Sequence, residues 1–157
     1  MTPWKSAFRK AIVSGGLASA LSTLALAWRG QRDVGAVAAP LNAPSHWLWP
    51  SALNQDDASV RYTFSGMVIH HLSAVFWAVL YERAGASKHA RTARSAMRDA
   101  GLVTAVAACV DLKMVPERLT PGFQHRLNRG SLCAVYGAFA VGMAMAAVLA
   151  ASHRYRT

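Results

Sequence analysis

Three predominantly apolar stretches of this sequence, Ala11 to Trp28, Tyr62 to Tyr81 and Gly130 to Ser152, contain no Asp, Glu, Lys or Arg. A helix crosses the hydrocarbon core of a bilayer with roughly 17–25 predominantly apolar residues, and each stretch reaches that length. A backbone in hydrocarbon must satisfy its own hydrogen bonds, so stretches of this kind fold as helices. A fourth stretch, Gly101 to Val115, is apolar apart from Asp111 and Lys113. Pro116 ends it, because a proline drives the preceding residue away from helical geometry. The expected fold is therefore all-α: a single integral membrane domain, polytopic, with four transmembrane helices bundled at about 11–28, 62–82, 98–115 and 130–152.

The N-terminus imitates a secretory signal, with Lys5, Arg9 and Lys10 ahead of an apolar run ending Ala25-Leu26-Ala27. That run exceeds the roughly 7–15 apolar residues of a signal peptide, which favours a retained first helix. The loop after it carries Pro40, Pro44 and Pro50 with Trp47 and Trp49, so it cannot be one regular helix. Indole rings favour the membrane interface, and Ser45 to Leu53 reads as an interfacial segment anchored by Trp47 and Trp49.

A net charge of +10 would suggest nucleic acid in a soluble chain. Here the basic residues flank apolar runs, where topology explains them, so no nucleic-acid partner is expected. Lys5, Arg9 and Lys10, the second-loop set Arg83, Lys88, Arg91, Arg94 and Arg98, and Arg154 with Arg156 all fall on one side if both termini are cytoplasmic. The second loop then lies against anionic headgroups, where each Lys or Arg contributes on the order of 1 kcal/mol. Cys109 and Cys133 fall in the spans without zinc-ligand spacing and read as small buried side chains.

Helices in lipid associate through close backbone approach, so rows of small residues locate their contacts. The fourth helix carries Ala138, Gly142, Ala146 and Ala150 at four-residue steps. The first offers Gly15, Ser19 and Thr23, and also Gly16 with Ala20. These rows suit packing within one chain; the alternative is a homo-oligomer or a larger membrane complex. Wound at 100° per residue, the second helix places Gly66, His70, Ser73, Ala74 and Ala78 on one arc with His71 at its edge, and Val68, Ile69, Leu72, Phe76 and Val79 opposite.

Ionisable residues within a span are costly and mark functional sites by default. His70, His71 and Asp111 are those residues, and Thr104 shares a helical face with Asp111. Their depths match, so Asp111 is expected to pair with His71 or His70, each charge favouring the other. Lys113 points to another side of its helix and snorkels toward headgroups.

A b-type haem needs two axial ligands, and neighbouring His70 and His71 cannot reach opposite faces of one iron. The second ligand would come from His46, from His125 or from another subunit, which keeps haem b a minor alternative, with no metal or other cofactor expected. Loop and tail histidines His46, His89, His125 and His153 are expected to be solvated. No Ser-His-acid set, HExxH or glycine-rich phosphate loop is present, which argues against a hydrolase.

The segment Tyr62-Thr63-Phe64-Ser65-Gly66 leading into a His-containing helix that ends at Tyr81, with Val115-Pro116 and Leu119-Thr120-Pro121, resembles the YagU-like proteins of the bacterial inner membrane. The resemblance implies an inner-membrane protein of undefined activity with a connection to acid tolerance, and it transfers no catalytic residue. The expected function is a non-enzymatic structural or accessory membrane component. The alternatives are a proton-responsive protein or small permeation pathway using the His and Asp cluster, and a haem- or metal-binding redox protein.

Overall fold

The computed structural model describes residues 3–85 and 92–154. Among them the chain is helical throughout: α1 (Pro3–Val34), a short α2 (Ala39–Asn42), α3 (Ser65–Arg83), α4 (Ala93–Cys109) and α5 (Arg129–Arg154). Single π turns extend two of these, Val60–Phe64 into the start of α3 and Val110–Met114 from the end of α4. Ser59 caps the first of them, its hydroxyl accepting from the Tyr62 backbone N–H at 3.0 Å. Three helical segments are long and apolar enough to cross a membrane: Pro3–Val34, Val60–Arg83 and Arg129–Ser152. α4 is part of the bundle, but its charged residues keep it from meeting the same composition.

Small side chains dominate the helix contacts of the interior. Ala7, Ala11, Ser14, Gly15, Ala18 and Ser22 form the buried face of α1, and Ala96, Ala100, Thr104 and Ala107 that of α4. Large apolar residues point outward instead, among them Phe8, Ile12, Leu24 and Trp28 on α1, Leu72 and Phe76 on α3, and Leu102 and Val106 on α4. A protein folding in water buries its large hydrophobes, whereas a bundle in lipid gains by close helix approach. That distribution is the pattern of a membrane bundle.

α1 is central, packing along both α3 and α5, while α4 packs along α5 and touches α3 only lightly. Two glycines set the close approaches. A Cβ at Gly15 would lie 2.8 Å from the Val75 Cα, and one at Gly142 would lie 2.5 Å from the Ala18 Cα. Of the predicted packing rows, Gly142 and Ala146 are buried and Ala138 is half-buried, whereas Ala150 and Ala20 are exposed and Gly16 has open space beside it. Gly66 and Ala74 are buried; Gly66 abuts the Leu41 carbonyl, which leaves no room for a side chain.

The segment expected to lie on the bilayer surface is folded into the protein. Ala43–Trp47 and Pro50–Asn54 form short 3-10 turns, with Pro44, Ser45, His46 and Ala52 buried. Asn42 organises them. Its Nδ2 donates to the Gln55 and Asp57 carbonyls at 2.9 and 3.0 Å, and its Oδ1 accepts from Thr63 Oγ1 at 2.6 Å. A buried amide satisfied from both ends holds a loop in one conformation.

The first and third loops meet at one end of the bundle and form a cap. The Trp47 indole donates to the Thr120 carbonyl at 2.8 Å, so this ring is tied to the protein and not only to an interface. Trp49 meets Tyr62 edge-on and lies under Arg61. Arg126 pairs with Asp56 and donates to the Leu53 carbonyl at 3.0 Å. Arg29 donates to Ser131 at 2.7 Å and Asp33 accepts from the Asn128 N–H at 3.0 Å, which ties the end of α1 to the start of α5.

His46, Cys109 and Cys133 lie in surroundings opposite to those expected from the sequence. His46 is not solvated: it is buried, its Nδ1 lies 2.8 Å from the Ala43 carbonyl oxygen and its Nε2 3.3 Å from that of Glu117. Cys109 and Cys133 are free and exposed on the bundle's outer surface, because alanines occupy the helix contacts. At the opposite end Arg83 lies over the Trp4 ring and Arg98 pairs with Asp99 at 2.8 Å. Lys88, His89 and Arg91, the rest of the basic second loop with its histidine, fall outside the described residues, as does the side chain of His153.

Candidate functional site

The light contact between α3 and α4 leaves a cavity of about 510 Å³ beneath the cap. Helices supply most of its wall: Ser22 from α1, His70 and Trp77 from α3, Ala107 from α4, and Tyr136 and Phe139 from α5. The cap closes one end with Pro44, Trp47, Leu119, Pro121 and Phe123. The π turn after α4 brings Val110 and Asp111 into the wall; insertions of this kind re-aim side chains and recur at functional sites. Leu72 and Phe76 line the cavity while remaining exposed, so it opens sideways onto the lipid-facing flank.

Both principal sequence candidates, His70 and Asp111, line this one cavity. They do not pair with each other. His70 Nε2 lies 2.8 Å from Ser22 Oγ, whereas Asp111 Oδ2 accepts from the Tyr136 hydroxyl at 3.3 Å and its carboxyl also takes a hydrogen bond from the Trp77 side chain. Phe123 stands between the two halves, its ring in edge contact with His70 and with Tyr136, each at 6.3 Å between centroids. The predicted ion pair is absent among the described residues because α1 and α5 supply nearer partners for each group.

The Ser22 hydroxyl bridges the two helices, its oxygen lying 2.8 Å from the Ala18 carbonyl oxygen within α1 and 2.8 Å from His70 Nε2 on α3.

His71 and Thr104 stand apart from the site. His71 is exposed on the outer side of α3, one 100° step beyond His70. Thr104 is buried about 10 Å along the helix from Asp111, its hydroxyl without a hydrogen-bond partner among the described residues. Lys113 is exposed and forms no part of the cavity wall.

Sequence reasoning missed Ser22, Trp77, Phe123 and Tyr136. Ser22 lies seven residues after Gly15, two turns along the same face, and a seven-residue step would have reached it. Tyr136 carries a hydroxyl inside an apolar run, a signal of the same kind as His70. Phe123 follows a Pro-Gly turn whose Gly122 has φ +82°, and nothing local marks it as a wall residue.

No three His, Cys, Asp or Glu side chains are placed to hold a metal among the described residues. His46 and His125, the loop histidines considered as second haem ligands, do not line the cavity. His46 faces carbonyl oxygens, and His125 lies 4.0 Å from the Glu117 carboxylate.

These features define a class: an all-helical protein with three membrane-length apolar helices, enclosing a largely apolar cavity with a few convergent polar groups. Comparison with known protein families, with curated proteins and with solved structures returns no match.

Proposed function

We propose that this is a non-enzymatic accessory protein of the bacterial inner membrane, a four-span bundle with both termini cytoplasmic, which holds a small membrane-dissolved molecule between α3 and α4. The observation that carries the reading is the cavity. Its volume falls within the roughly 300–1,000 Å³ of small-molecule sites, and its wall combines aromatic surface with a few polar groups, as such sites do. Its open flank is bordered by the exposed Leu72 and Phe76, so a ligand dissolved in the bilayer enters without crossing water.

The fourth span is supported by length and by charge placement. α4 with its π turn is about 33 Å long, matching a hydrocarbon core of about 30 Å. Arg94 and Arg98 lie at one end and Lys113 at the other. The cap places the loops after α1 and after α4 on one side, as four antiparallel spans require. The inner-membrane location rests on the resemblance of the Tyr62-Thr63-Phe64-Ser65-Gly66 and Leu119-Thr120-Pro121 motifs to YagU-like proteins.

The test is saturable binding of the neutral fluorophore N-phenyl-1-naphthylamine to the protein in phosphatidylcholine nanodiscs, above that of empty discs. Stoichiometric binding that Ser73→Trp abolishes is expected, since Ser73 lines the cavity. Unsaturable partitioning identical to empty discs would contradict the reading.

A second reading, a proton-responsive protein, is favoured by one observation: His70 and Asp111 share a cavity. It predicts proton flux in proteoliposomes that Asp111→Asn removes; flux unchanged by that substitution would contradict it.

A further inference from the structure

We infer that the molecule held in the cavity is a lipophilic ammonium, with Asp111 as its counter-charge; this deepens the binding reading above and rests on it. Several polar groups of the wall already have protein partners. The Ser22 hydrogen goes to the Ala18 carbonyl, and the Tyr136 hydroxyl and the Trp77 N–H both go to Asp111. His70 Nε2 lies 2.8 Å from the Ser22 hydroxyl. These hydrogen bonds leave lone pairs of the Asp111 carboxyl free to accept from a guest in the cavity.

A ligand that donates finds the Asp111 carboxyl in the wall. Charge narrows the class further. Asp111 belongs to none of the ion pairs of the described residues, which join Arg98 to Asp99, His125 to Glu117 and Arg126 to Asp56. A carboxyl set among apolar side chains without a cation is an incomplete pair, and an entering ammonium completes it with charge-assisted hydrogen bonds. The rest of the surroundings suit the same guest. Trp77, Phe76, Tyr136 and Phe139 line the cavity around the carboxyl, and aromatic faces attract organic cations while accommodating their hydrocarbon.

The experiment compares two probes of one shape, 4-phenylbutylammonium and 4-phenylbutanol, binding to the full chain in phosphatidylcholine nanodiscs, each corrected for empty discs. The expected result is at least tenfold tighter binding of the ammonium, a ratio that falls close to one in Asp111→Asn and persists in Asp111→Glu. Equal affinities in the unmodified protein would overturn the ammonium assignment while leaving the cavity reading standing. A preference that survives in Asp111→Asn would also overturn the assignment, by placing the counter-charge elsewhere. If neither probe binds, both readings fail together. The comparison within the unmodified protein decides the matter even if Asp111→Asn does not fold.

Discussion

Ser22 Oγ lies 2.8 Å from His70 Nε2, and this contact joins α1 to α3 beside the cavity. It gives the His70 imidazole a protein hydrogen-bond partner across two helices. A helix-to-helix hydrogen bond of this kind is worth about 0.6 kcal/mol on average in a membrane protein and up to about 1.7 kcal/mol.

Ser22→Ala is therefore expected to destabilise the protein by about that amount, read as a lower thermal midpoint in detergent. His70→Ala removes the partner and a ring packed against Phe123 as well, so its loss should be larger. Equal midpoints for both variants and the unmodified protein would show that the contact contributes nothing.

Helix approach at Gly142 gives a sharper contrast. A Cβ there meets the Ala18 backbone at 2.5 Å, whereas one at Gly137, a turn and a half earlier on the same helix, meets nothing within 4 Å. Gly142→Ala should cost about 1–3 kcal/mol through forced separation of α1 and α5. Gly137→Ala should be neutral, or stabilising by up to about 1 kcal/mol through helix propensity. Reversible unfolding in mixed micelles measures both, and similar effects at the two positions would count against the packing of α1 on α5.

Whether α4 crosses the bilayer is tested by thiol accessibility in sealed vesicles, in a background carrying Cys109→Ser and Cys133→Ser. Leu102 is exposed on the bundle surface near the middle of the α4 segment, with Ala93 and Lys113 toward its two ends. Leu102→Cys should resist a membrane-impermeant maleimide from both sides. Ala93→Cys should label from one side and Lys113→Cys from the other. Labelling of both ends from the same side would place the helix along the membrane surface.

The apolar helices were legible in the sequence because an uncharged run of membrane length leaves the backbone few alternatives. Their ends were not. α1 extends from Pro3 to Val34, past Lys5, Arg9, Arg29 and Arg32, because charged side chains at the bundle's ends reach water without breaking the helix. His70 and Asp111 stood out because an ionisable group in an apolar run has few reasons to be there. Their partners did not, since Ser22, Trp77 and Tyr136 acquire meaning only when α1, α3 and α5 are packed. The cap was the least legible part. A loop of prolines and tryptophans reads as interfacial, and only the hydrogen bonds of Asn42 and the Trp47–Thr120 contact show that it folds back over the helices.

Central to the proposed function is a cavity that accepts a guest between the Ser22–His70 and Tyr136–Asp111 contacts. An experimental structure of the protein soaked with 4-bromobenzylamine tests this directly, because bromine is located by its anomalous scattering. The account predicts one strong bromine site bounded by Trp77, Phe123 and Phe139, with the amine toward Asp111. Bromine found only on the outer surface, with Phe76 and Leu72 collapsed into the space between α3 and α4, would contradict it.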